Sequence, residues 1–201
     1  MKLNQVASTA VAMTAVLAFA SQAAAQAAPV TGPVVPGVCV FNPARAIGAS
    51  TVGKYVTGRL NELGGQVNAE LQAEQAQLQA DAKTLEAQRA TLSQAQLQAK
   101  AEPIQARAAA FQRKVQLRDK EMQETQAKAV QQIAQAMAPI AQQTFVQRGC
   151  SVMINTEALY LYVPGAEVTD TVIAGLNVKL QTMQVERVHL DQAVPGAAQS
   201  R

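Results

Sequence analysis

Residues 85–104 read LEAQRATLSQAQLQAKAEPI, and the fold turns on what happens in the middle of them. Ser93 followed three residues later by Gln96 has the form of a capping box, in which each partner's side chain satisfies the other's free backbone N–H at a new helix start. On the N-terminal side, Leu60, Leu63, Val67, Leu71, Leu78, Leu85 and Leu92 fall on one helical stripe, the last four at spacings of seven. The alternate seam positions hold Glu74 or Gln75, Asp81 or Ala82, and Gln88 or Arg89, so this is a half-occupied heptad seam. On the C-terminal side, a second stripe runs through Ile104, Ala108, Phe111, Val115, Met122, Ala129, Ile133, Met137 and Ile140. Two stripes of similar length around a polar turn predict an antiparallel helical hairpin. A single unbroken rod would hold the apolar strand segments at its two ends about 100 Å or more apart.

Those end segments lie just outside the helices. Val38–Phe41 is a short continuous apolar run closed by Asn42 and Pro43, and residues 150–154 and 159–163 are two more strand-like runs, with Pro164-Gly165 as a turn. Gly149 stops the second long helix, with Arg148 in its last turn. Thr169-Asp170 opens a short helix with Val172, Ile173, Leu176 and Leu180 on one face. The expected class is α+β and mostly helical: a small β body from which a long, coiled-coil-like hairpin protrudes.

At the start of the chain, Lys2, an uncharged apolar run from Val6 to Ala20 and small residues at Ala23–Ala25 form a secretory signal pattern. Cleavage after Ala25 and after Ala27 fit equally well. The expected organisation is a cleaved signal peptide over 1–25, a Pro/Gly-rich lead over 26–37, the first body strand over 38–50, the arm over 51–144, the rest of the body over 145–190 and a disordered tail over 191–201. Export makes a disulfide between Cys39 and Cys150 chemically allowed, and two buried free thiols fit the sequence as well. Gly64, Gly65 and Pro139 are candidate hinges, with Pro103 a further kink site.

Composition narrows the function. Aromatic residues make up 3% and Trp is absent, so a large globular core is out of reach and oligomerisation through the base is the natural way to bury more surface. His189 is the sole histidine, and no G-x-S-x-G, H-E-x-x-H, C-x-x-C or Walker-type motif occurs, so neither catalysis nor a metal or cofactor is expected. Between Lys83 and Lys120 the bases Lys83, Arg89, Lys100, Arg107, Arg113, Lys114, Arg118 and Lys120 face only Glu86, Glu102 and Asp119, a local excess of five against +3 for the whole chain. That charge, with Phe111 beside it, reads either as an ordinary solvated helix face or as a guide for acidic polypeptides or anionic lipid headgroups. Export and the lack of stacking aromatics disfavour nucleic acid.

Several short segments resemble the Skp/OmpH family of periplasmic chaperones. They are Val38-Cys39-Val40-Phe41-Asn42, Ser50-Thr51-Val52-Gly53-Lys54, Pro139-Ile140, Gly149 through Asn155, and Val168-Thr169-Asp170-Thr171-Val172-Ile173. Asn155 stands where members often carry Asp. The resemblance covers residues 38–180 and implies a jellyfish-shaped homotrimer. Its arms would enclose unfolded outer-membrane proteins without ATP, and lipopolysaccharide contact is among what the resemblance implies. A structural or adaptor coiled-coil protein with one envelope partner is the alternative.

Overall fold

The computed structural model describes residues 31–190; the expected signal peptide, the start of the lead and the tail lie outside them. Strand β1 (Val38–Phe41) is followed by helices α1 (Pro43–Ala49), α2 (Thr51–Gln88) and α3 (Gln94–Gln147), strand β2 (Val152–Asn155) and helix α4 (Thr169–Lys179). The hairpin is present, and the Ser93–Gln96 capping box is complete, side chain to backbone in both directions. At 1.5 Å per residue, the 38 residues of α2 and 54 of α3 give rods of about 57 and 81 Å. Both pass without a break through the candidate hinge positions, Gly64 and Gly65 in α2 and Pro139 in α3.

The two strands pair in parallel, Val38 opposite Val152 through Phe41 opposite Asn155. Parallel neighbours require a crossover connection, and here the whole arm is that crossover. Cys39 and Cys150 close it with a disulfide, Cα atoms 5.7 Å apart.

Two expectations need correction. Residues 159–163 form no strand; Tyr160 and Leu161 are exposed, and the segment sits between two 3₁₀ turns, Thr156–Ala158 and Pro164–Ala166. The far side of β1 carries a bridge between Val40 and Glu167, and residues 159–163 pair with neither strand. Asn42-Pro43, read only as the end of β1, also starts α1: the Asn42 side chain accepts from the Arg45 N–H at 2.8 Å, and Pro43 stands where no helical N–H is needed.

The motif segments hold the base together. Ser50 caps α2 by accepting from the Gly53 N–H at 3.1 Å, and a side chain at Gly53 would run into the Ile47 carbonyl. Gly149 takes φ +66°, the left-handed geometry that lets the chain leave α3 and enter β2. Thr169 accepts from the Asn42 N–H at 3.0 Å, while Arg45 pairs with Glu167 and Asp170, tying the start of α4 to α1. The core lies where α1, α4 and the lower arm meet, around Val52, Val56, Ile133, Met137, Val172 and Leu176.

Candidate functional site: the helical arm

Polar pairs connect the two long helices rung by rung. Lys100 donates to Gln88 at 2.7 Å, Arg107 pairs with Asp81, Lys114 bonds Glu74 at 2.7 Å and Glu70 at 2.8 Å, and Arg118 bonds Glu70 at 3.1 Å. On α2, Glu74, Asp81 and Gln88 recur every seven residues, as do Lys100, Arg107 and Lys114 on α3. The gaps in the apolar seam are thus where charged and amide side chains reach across. Leu71, Leu78, Leu85 and Ile104 between the rungs remain half-buried, whereas Phe111 is buried.

This geometry sorts the candidate client-binding residues. Arg107, Lys114 and Arg118 are committed to carboxylates of the facing helix, and Arg89 pairs with Glu86 one turn back at 3.3 Å. Lys83, Lys100, Arg113 and Lys120 are exposed and make no ion pair among the described residues. The excess counted along residues 83–120 therefore overstates the local charge, since Glu70, Glu74 and Asp81 lie beside it in space and outside it in sequence.

Nearer the base, the seam contains a polar node that periodicity did not reveal. Glu121 is fully buried and Thr125 nearly so. Arg118 donates to Glu121 at 2.9 Å, and Arg187, from the segment after α4, approaches Glu70 at 3.4 Å and Glu121 at 3.6 Å. Hydrogen bonds from Lys114, then Arg118, lower the Glu70 pKa to about 2. Burial works against the Arg118 guanidinium, yet Glu70 and Glu121 together raise its pKa above the usual value. The available signal was the spacing: Phe111, Arg118 and Thr125 are seven apart, so polar residues continue an apolar seam.

No group of His, Cys, Asp or Glu among the described residues could hold a metal ion, and no described helix is long and apolar enough to cross a membrane. The grooves beside the arm are open. One of about 770 Å³ lies between Lys54–Glu62 and residues 182–186. Such a surface offers many shallow contacts and no enclosed site for one small ligand.

Among curated proteins, none matches the chain. A crystal structure from Caulobacter crescentus CB15, at 2.83 Å resolution and described as an OmpH-like outer membrane chaperone, superposes with a TM-score of 0.77 at 42% identity, covering 81% of this chain and 96% of that one. The sequence model of the family "outer membrane protein (OmpH-like)" matches residues 37–176, from the start of β1 into α4 and across the entire arm. The chain is therefore a member of the OmpH-like outer membrane protein family.

Proposed function

We propose that the protein is a periplasmic, ATP-independent holdase that keeps unfolded outer-membrane β-barrel proteins from aggregating while they lie between helical arms. The observation that carries this reading is the upper arm. Half-buried apolar residues there, Leu78, Leu85 and Ile104, alternate with polar rungs, and the exposed cations Lys83, Lys100, Arg113 and Lys120 stand around them. A β-barrel precursor alternates apolar and polar residues and presents no single strong epitope. Many weak contacts at high effective concentration suit it better than one pocket.

A cage needs several arms. Val146, Val152, Tyr160, Leu161 and Val178 are exposed apolar residues of the base region, and burying them between copies supports a homotrimer joined there. The signal pattern at the N-terminus supports a periplasmic location for the assembly. The same exposed cations suit anionic lipid or lipopolysaccharide headgroups as secondary contacts, which would be lost with salt and on charge reversal at Lys83, Arg113 and Lys120.

The test is dilution of an unfolded outer-membrane β-barrel protein from urea with and without the chaperone at stoichiometric trimer. Suppressed light scattering without nucleotide is the expected result, and unchanged scattering would remove the holdase reading. Affinity capture of one stoichiometric folded partner would instead favour the adaptor alternative.

A further inference from the structure

Beyond α4 the chain continues without regular secondary structure, and it turns back along the arm. Leu180 and Met183 pack on the core and Val185 is buried. Residues 182–186 run beside Lys54–Glu62 of α2, and residues 186–189 run beside Leu63, Gln66 and Glu70. On α3 the same strap passes Gln132 and Ala129 and reaches Thr125 and Glu121. Its direction is opposite to α3, toward the tip. An extended chain advances about 3.3 Å per residue and a helix 1.5 Å, so a strap of this length can track about twenty residues of α3. On α2 it thus passes the level of Gly64–Gly65, between Glu62 and Gln66.

The strap's far end is held by side chains and not by strand pairing. The Val188 N–H donates to Thr125 Oγ1 at 2.9 Å, and the Leu190 N–H donates to Glu121 Oε1 at 3.0 Å. Two backbone donors two residues apart thus meet acceptors one helical turn apart, a match between an extended segment and a helix face. Arg187 lies between Glu70 of α2 and Glu121 of α3, so one strap residue bridges both helices. Such a fastening is releasable. On opening, Glu121 keeps its bond from Arg118 and Thr125 keeps its bond to the Glu121 carbonyl at 2.6 Å, while water can satisfy the freed strap amides.

We propose that residues 182–190 are a latch, fastened at Glu70, Glu121 and Thr125, that splints the arm root across Gly64 and Gly65, and that unfastening it frees the arm to swing. The device follows from the hairpin geometry and does not depend on the client.

Trypsin reads the latch directly, because it can cleave after Arg187 only when the strap is detached. In the full-length protein, the near-isosteric Thr125→Val is expected to speed cleavage after Arg187 about tenfold, with hydrogen exchange over residues 121–140 and 60–70 rising in parallel. Arg187→Met removes the cleavage site and is read by exchange alone, with the same rise expected. Unchanged cleavage in Thr125→Val, with wild-type exchange in both variants, would overturn the latch. Faster cleavage with unchanged exchange at the root would overturn the splint. Neither readout involves a client, so the holdase reading is tested separately.

Discussion

Near the base, Leu63, Val67, Ile133 and Met137 are buried, the Cys39–Cys150 disulfide closes the ends, and the strap covers the seam. Toward the tip, Leu78, Leu85 and Ile104 stay half-exposed and the helices are joined chiefly by Arg107–Asp81 and Lys100–Gln88. One hairpin is thus built in two ways. Burial of apolar area and cross-linking are strong and insensitive to salt, while exposed polar bridges are weak and adaptable. The lower arm has the construction of a fixed strut, and the upper arm that of a surface that can rearrange around a guest.

The largest effect expected of a base change is loss of the disulfide. It closes a loop of 111 residues, so Cys39→Ser with Cys150→Ser should cost roughly 4–5 kcal/mol. Denaturant melts of the double variant check this, and a loss under about 1 kcal/mol would mean that the base holds the arm without it. Next, paired truncations compare the halves directly. Ile133→Ala should cost about 2–5 kcal/mol, as for a fully buried side chain, and Leu78→Ala at the half-exposed seam about 1 kcal/mol or less. Equal costs would erase the distinction.

Smaller is the acid dependence of the node. The folded-state pKa of Glu70 is lowered to about 2, so its contribution is complete above the unfolded-state value of about 4.5 and is lost as pH falls through about 2. Because Glu70 is about a third exposed, solvent screening reduces that contribution to on the order of 1–2 kcal/mol. Replacement by Gln should remove that part of the acid slope. The smallest effect belongs to the upper rungs: Arg107→Ala should change stability by about 0–1 kcal/mol, shrinking further in high salt.

The hairpin, its turn at Ser93 and the order of elements were legible because they rest on periodicity and capping, which are local. The rungs were half legible. Glu74, Asp81 and Gln88 were visible as gaps in the seam, but their partners Lys114, Arg107 and Lys100 lie across a turn whose register no local pattern fixes. For the same reason the basic row appeared more charged than it is. The apolar run at 159–163 misled because strand propensity yields to tertiary context, and here Glu167, not this run, bridges to β1. The strap escaped entirely: residues 182–190 lack periodicity, and their placement depends on Glu121 and Thr125, some sixty residues away in sequence.

Hydrogen exchange measured along the arm, alone and with an unfolded β-barrel protein bound, tests the stiff-root, compliant-tip account most directly. Residues 78–107 should exchange far faster than residues 121–137 in the free protein and should gain protection when the client is held. Uniform exchange along both helices, or protection gained only at the base, would contradict it.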